Sequence, residues 1–367
     1  MSECFAVIAG GGTAGHVHPG LAVANALVRS GHSKDTILYV GSGRGIEQDI
    51  VPPEGFELVT FSGEGISRRN PLQAIKAVYL LIRGTVEAFR FLRDRKPKVL
   101  LALGGFACFP CALASVMLGI PVVVHEQNAV PGLANKVISF WARHSAVSYR
   151  GTSLRKSIFT GNPVRQEILD AREIDPCLVR ERLRVPSENI LLVVTGGSLG
   201  ARKINFALRD AIPFFELGID LTVYHIVGRR DWQDFAPLEE DLGKYVDYRP
   251  IEYEYDMPNI LRSADLIISR AGGSITAEIA ALGIPSVLIP LPNAPGDHQT
   301  ANAKSMESFG SARILLDESC NGDSLSALVN ELTAAPEEVH KMREQAEKNI
   351  RVNASDQLAD LLKKVAL

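Results

Sequence analysis

Along this chain, short continuously apolar runs alternate with longer segments in which apolar residues return every three or four positions. The runs Phe5–Ala9, Thr36–Val40, Val99–Leu103, Val122–Val124, Ile190–Thr195, Leu221–Val227, Leu266–Ile268 and Ser286–Pro290 predict strands. Runs without polar alternation suit strands buried on both faces, as in parallel sheets. Helical periodicity fills the intervals, so the fold class is α/β, doubly wound. One stretch, Val99–Val124, runs 26 residues without a charge, long enough to span a bilayer. Gly104-Gly105, Pro110 and Gly119-Ile120-Pro121 break it instead into strand, glycine loop, a short helix around 110–118, turn and strand.

The pattern also repeats. Gly104-Gly105, a helix, Leu118-Gly-Ile-Pro121 and a strand are echoed by Gly272-Gly273, a helix, Leu282-Gly-Ile-Pro285 and a strand. Strand–glycine–helix junctions occur at Ala9–Gly15 and again at Thr195–Gly200. With 367 residues in all, two similar halves are expected, joined near 160–175, with their glycine loops at the carboxyl ends of the strands and facing a cleft, where open α/β sheets bind ligands. A charged helix follows Pro336.

Charge sharpens this division. The total is −3, which argues against a nucleic-acid binder. Residues 1–165 carry 18 Lys+Arg against 10 Asp+Glu, or +8, and residues 166–367 carry 21 against 32, or −11. Nine basic residues crowd 66–98 (Arg68, Arg69, Lys76, Arg83, Arg90, Arg93, Arg95, Lys96, Lys98). Lys76, Arg83 and Arg90 share a helical face, which fits either a solvated basic face or contact with an anionic membrane surface. The first residues lack the basic and apolar regions of a signal peptide. Five cysteines, with Cys108-x-x-Cys111 inside an apolar segment, read as small buried residues.

Gly10–Gly15 between strand and helix offers backbone N–H groups and a helix N-terminus to an anion. A dinucleotide site would need an acid at the end of the second strand, and Val40-Gly41-Ser42 has none. His16 follows, either a helix-start packing residue or a general base. His125-Glu-Gln-Asn128 and Asp297–Asn302 place polar clusters after buried strands. In Ser269–Glu278 the amides near Gly273 and Ser274 suit a diphosphate. Glu278 is either a ribose ligand or an acid favoured by the helix dipole. No Walker lysine motif, serine elbow, zinc helix or cluster of metal ligands appears.

Taken in order, Gly10–His16 with Pro19, Gly104–Pro110, His125–Gly132, Gly161–Arg165, Gly196–Gly200, Ser269–Ser274 with Glu278, and Asp297–Thr300 closely resemble the MurG family of bacterial N-acetylglucosaminyltransferases, densely over 5–310. The resemblance implies a GT-B fold of two Rossmann-like domains facing a cleft. Residues 1–164 would form an acceptor- and membrane-associated domain and 165–344 a UDP-GlcNAc-binding domain, with 345–367 as a helix crossing back. It implies UDP-GlcNAc as donor, undecaprenyl-pyrophosphoryl-MurNAc-pentapeptide as acceptor, a β-1,4 linkage formed with inversion, and no cofactor or obligatory metal. It places the chain peripherally on the cytoplasmic face of the bacterial membrane, serving cell-wall biogenesis, cell shape and division, with a cell-wall synthesis complex as partner. By motif, Thr13, Ala14 and Gly15 would lie at the nucleotide-sugar cleft, and Asn128 would contact the sugar. Arg165 and Ser198 would contact the donor. Gly273, Ser274 and Ile275 would hold phosphate and nucleotide, Glu278 the ribose and Gln299 the GlcNAc. His16, and secondly Glu126, are the candidate bases. Two departures stand out: Ala14 replaces the family's usual glycine, which is tolerated if its φ is negative, and Pro250–Met257 reads as longer than usual, leaving the uracil contact unassigned. Alternatives are another GT-B UDP-sugar enzyme (a glycolipid glycosyltransferase or a UDP-GlcNAc epimerase) and a non-catalytic nucleotide-sugar-binding scaffold.

Overall fold

The computed structural model describes residues 3–43, 45–61, 71–105, 108–197, 200–216 and 220–367, with the side chains of 71–78 and of Glu239 excepted. Phe106, Ala107, Ser198, Leu199, Arg68, Arg69 and the side chains of Ile75 and Lys76 therefore lie outside the described residues. Two parallel sheets emerge. One contains β1 (Ala6–Gly10), β2 (Ile37–Ser42), β3 (Glu57–Phe61), β4 (Val99–Gly104), β5 (Val122–Glu126), β6 (His144–Val147) and β7 (Ser157–Phe159), in the order β3-β2-β1-β4-β5-β6-β7. The other contains β8 (Ile190–Thr195), β9 (Leu221–Ile226), β10 (Asp247–Ile251), β11 (Leu266–Ser269), β12 (Ser286–Leu288) and β13 (Ala312–Ile314), in the order β10-β9-β8-β11-β12-β13. Both grow outward in one direction and then return to the far side of their first strand. The switch points therefore fall between β1 and β4 and between β8 and β11, where doubly wound sheets open their ligand crevices.

The chain divides into two compact units, Met1–Arg165 with Val352–Leu367, and Gln166–Arg351. In the first, alternate residues of each strand serve opposite faces. Ala6 and Ile8 of β1 pack with Leu27, Tyr39 and Leu101 beneath the helix Ala14–Arg29, joined by Leu358 and Leu362 of the terminal helix Ala354–Ala366. Val7 and Ala9 pack on the other face with Leu38, Leu100, Leu92 and Cys111. Each such fully buried leucine or isoleucine stabilises the fold by about 1.5–3 kcal/mol, and an Arg29–Asp356 ion pair of 2.8 Å accompanies the terminal helix. In the second unit, Leu192, Val194, Val223, Ile268 and Val287 of the sheet meet Ile204 and Leu208 of the helix Arg202–Ala211.

The repeated Leu-Gly-Ile-Pro string has a physical basis. Gly119 (φ +72°) and Gly283 (φ +69°) adopt the left-handed conformation that ends the helices Cys108–Met117 and Gly273–Leu282. The prolines that follow enter the next strand, where the carbonyls of Pro121 and Pro285 accept from Leu100 and Ile267. The uncharged stretch 99–124 is accordingly β4, a helix and β5, and among the described residues no helix is long and apolar enough to cross a membrane. The five cysteines are unpaired, and burial pushes the Cys108 thiol up to about 12.

Candidate functional site

In the first unit, the candidate residues collect at the carboxyl ends of β1, β4 and β5, which are neighbours in the sheet. The chain leaves β1 through Gly11 and Gly12 (φ +88°), and extended Thr13 then caps the helix from Ala14. Ala14 is the first helical residue and is not among the residues with positive φ, so its methyl group is accommodated. The Thr13 side chain makes no capping bond. Its Oγ1 stands 3.2 Å from Nδ1 of half-buried His16. The loop after β4 supplies space: a Cβ on Gly104 (φ +102°) would lie 3.2 Å from His16 Nε2 and 3.4 Å from Asn135 Nδ2, and one on Gly105 would lie 2.9 Å from the Gly11 carbonyl.

Glu126, at the end of β5, is 2% exposed. Its carboxylate accepts from the Asn128 amide (3.1 Å), Asn128 Nδ2 (3.2 Å), the Gly132 amide (3.0 Å) and Asn135 Nδ2 (2.8 Å). Four donors fill a carboxylate's acceptor capacity, and they tie Glu126 to the 126–135 loop that carries Asn128. Fully buried His125 accepts at Nδ1 from Gln127 (3.1 Å) and donates from Nε2 to the Gly161 carbonyl (3.3 Å). That pairing assigns the neutral tautomer. Burial lowers its pKa to about 4, opposed by the Gly161 bond and aided by the His16 charge. The same bond ties the Gly161–Arg165 segment to β5. Burial and then the Arg165 guanidinium push His18 down to about 4.

In the second unit, the sites gather after β8, β11 and β12, again neighbours. Gly197 (φ +86°) donates to Thr195 Oγ1 at 3.2 Å, and a Cβ on Gly200 (φ +77°) would strike the Val227 carbonyl at 2.1 Å. Beyond β11, Gly272 caps the helix Gly273–Leu282 without a side-chain bond, and no acid occupies the first turn. The amides of Gly273, Ser274 and Ile275 thus begin a helix whose positive end carries no acid of its own. Ser274 Oγ is buried with no hydrogen-bond partner, and Glu278 one turn on is 7% exposed. After β12, Gln299 at the start of the helix His298–Ser308 accepts the Leu291 amide at 3.0 Å. Fully buried Asn302 donates to the Ala271 carbonyl at 3.1 Å, pinning that helix to the β11 loop.

Within each unit, then, the structure brings Thr13, Ala14, Gly15, His16, Glu126 and Asn128 to one sheet end, and Gly273, Ser274, Ile275, Glu278 and Gln299 to another. Arg165 sits beside His18, and Ser198 is outside the described residues. Arg270 of the Ser269–Ser274 string binds the Ile289 carbonyl (3.2 Å) and Asp317 (2.5 Å), holding strands together. Sequence reasoning missed Asn135, Asn302 and Glu47. The first two lie within the quoted strings or one turn beyond them, whereas Glu47 follows a strand end that carries no acid of its own.

Comparison with known proteins gives a consistent picture. Residues 6–147 match the glycosyltransferase family 28 N-terminal domain and 191–358 its C-terminal domain. The UDP-N-acetylglucosamine–N-acetylmuramyl-(pentapeptide) pyrophosphoryl-undecaprenol N-acetylglucosamine transferase of Carboxydothermus hydrogenoformans is 37% identical over 362 residues, 97% of this chain and 96% of that protein. The enzyme of the same name from Desulforudis audaxviator is 34% identical over 98% of both. Among solved structures, Acinetobacter baumannii MurG superimposes with a TM-score of 0.81 at 27% identity, covering 98% of this chain and 99% of that one. The UDP-GlcNAc 2-epimerase of Neisseria meningitidis shares the fold at a TM-score of 0.67 and 16% identity, covering 98% of this chain and all of that one to 100%.

Proposed function

The chain belongs to the MurG enzymes of glycosyltransferase family 28, and on that premise we infer that it transfers N-acetylglucosamine from UDP-N-acetylglucosamine to undecaprenyl-pyrophosphoryl-MurNAc-pentapeptide, converting lipid I to lipid II in peptidoglycan synthesis. The observation that carries the donor side is the start of the helix Gly273–Leu282. Its first turn contains no acidic residue, and there the Ser274 hydroxyl is buried without a partner. A diphosphate suits both, because a helix N-terminus favours anions and a buried hydroxyl is costly to leave unpaired. By motif, Glu278 then takes the ribose diol, Gln299 the GlcNAc, and Arg165 and Ser198 contact the donor.

The acceptor 4-hydroxyl attacks the anomeric carbon in a single inverting displacement. His16 takes its proton; its Nδ1 lies 3.2 Å from Thr13 Oγ1, which steadies the ring whichever of the two donates. The bond from the anomeric carbon to the diphosphate oxygen breaks as the new one forms, and the departing charge is spread over the helix amides. Asn128, held by Glu126, orients the sugar.

The acceptor's lipid calls for a membrane surface. The helix Pro71–Arg95 turns small Gly84 and Ala88 with Leu92 inward and exposes Tyr79, Ile82 and Val86 beside Arg83 and Arg90. Val116, Met117 and Phe140 are exposed in the same unit. Apolar side chains interspersed with cations suit the headgroup boundary of an anionic bilayer, which favours peripheral attachment at the cytoplasmic face and proximity to other cell-wall enzymes.

The donor assignment is tested by calorimetric titration with UDP-GlcNAc. Glu278→Ala binds about tenfold or more weakly than wild type, the loss expected for a charged hydrogen bond. An unchanged affinity overturns the ribose role.

A further inference from the structure

Glycine loops at the start of a helix bind anions, but the first loop of this protein already holds one. Glu47 lies five residues past the end of β2 and is completely buried. Its Oε2 accepts the Gly12 amide at 2.9 Å, and its Oε1 accepts the Ser42 amide at 2.6 Å and the Ser42 hydroxyl at 2.7 Å. Three glycines make the room. A Cβ on Gly11 would come within 2.5 Å of Glu47 Oε1, one on Gly41 within 2.5 Å of its Cγ, and one on Gly45 within 2.0 Å of its Oε2. Burial alone would raise this carboxyl's pKa, yet the bonds from Gly12 and Ser42 hold it below the ordinary value, so the group is charged at neutral pH. The dinucleotide-binding arrangement aims an acid after the second strand outward at a ribose. Here the acid turns inward to the loop itself.

We propose that Glu47 is a positioning residue of the transfer reaction, its buried carboxylate standing where a ligand phosphate stands in other glycine loops and so fixing Gly12, Thr13 and, through Thr13, the imidazole of His16. The inference rests on the reading of His16 as base. It has a specific consequence: the Gly12 amide is taken, so this loop does not hold the donor diphosphate, and disturbing Glu47 acts on turnover rather than on donor binding. The chain of contacts is short. Gly12 is bonded to Glu47, Thr13 follows it covalently, and Thr13 Oγ1 meets His16 Nδ1. Neutral Glu47→Gln keeps the volume but turns an amide N–H₂ toward groups that are themselves donors.

Full-length wild type, Glu47→Gln and Gly45→Ala, which displaces the carboxylate by crowding alone, are compared in initial-rate kinetics and in UDP calorimetry. Both variants are expected to lose about ten- to hundredfold in kcat, the scale of a misplaced catalytic group, while donor KM and UDP affinity stay within about twofold of wild type. A kcat within about twofold of wild type in both variants overturns the proposal, as does a loss residing in donor KM or UDP affinity. Nitrogen-15 shifts of the His16 ring, recorded without substrates, decide the matter independently of activity. Both variants should change its tautomer balance, and unchanged shifts overturn the proposal. A wild type that transfers no GlcNAc contradicts the proposed function instead, and a fully active His16→Ala contradicts the base and, with it, the positioning role proposed for Glu47.

Discussion

At the residue scale, the two units each bury a histidine whose ring is already committed. His125 is locked between Gln127 and Gly161. His225, on β9, faces the Tyr248 hydroxyl (2.9 Å) and Asn205 Oδ1 (3.1 Å). Burial lowers their pKa values to about 4 and about 3, against ~6.5 in an unfolded chain. Depressed folded values mean that the unfolded chain binds the extra protons. Stability is therefore complete above about pH 6.5 and is lost as pH falls toward the folded values, by about 1.4 kcal/mol per pH unit for each ring. Urea unfolding at about pH 5.5 should show lower midpoints than at neutral pH, and identical midpoints contradict this account. Individual side chains were only partly legible in sequence. His16 stood out because a histidine beside a glycine loop is chemically conspicuous. Glu126 was conspicuous for the same reason, but the four donors around it were not legible. Glu47 carries no such signal, since its importance lies in a backbone amide 35 residues away.

At the element scale, all eight strands expected from apolar runs are present, with ends shifted by no more than two residues. The strands not anticipated, β3, β6, β7, β10 and β13, lie toward the sheet margins and are short or polar. Asp247-Tyr-Arg-Pro-Ile251 and Ser157-Ile-Phe159 show why, because a marginal strand has less of its surface to bury and its sequence carries less hydrophobic signal. The helix Pro71–Arg95 was ambiguous in sequence between a solvated basic face and a membrane face. Knowing which side packs inward changes the balance, since the outward side mixes Tyr79, Ile82 and Val86 with arginines. Replacing Lys76, Arg83 and Arg90 together by Glu should weaken co-sedimentation with vesicles rich in anionic phospholipid by about a hundredfold or more, at about 1 kcal/mol per cation near the surface. Undiminished co-sedimentation would leave the helix a solvated structural element.

At the scale of the whole molecule, the charge split follows the structural division. The terminal segment Val352–Leu367 carries two lysines and two aspartates, so assigning it to the first unit leaves +8 and −11 unchanged. The basic unit is the one proposed to meet an anionic lipid and a membrane. The acidic unit is proposed to bind an anionic nucleotide sugar, through backbone amides, a buried hydroxyl and a helix N-terminus rather than through bulk charge. The internal echo of Gly-Gly and Leu-Gly-Ile-Pro strings made the two similar halves legible in the sequence, because left-handed glycines and strand-entering prolines recur wherever the same helix-to-strand turn recurs, whereas the strand order the two sheets share is seen only in the structure.

The central claim is catalytic: one chain moves GlcNAc from UDP to a lipid-linked MurNAc, with His16 as the base. It is tested most directly by incubating radiolabelled UDP-GlcNAc with a short-chain lipid I analogue and purified protein, wild type beside His16→Ala. The account predicts labelled lipid product from wild type and a rate lower by about a hundredfold or more in the variant, the contribution of a general base. Absence of transfer by the wild type would contradict the function, and an undiminished variant would contradict the base.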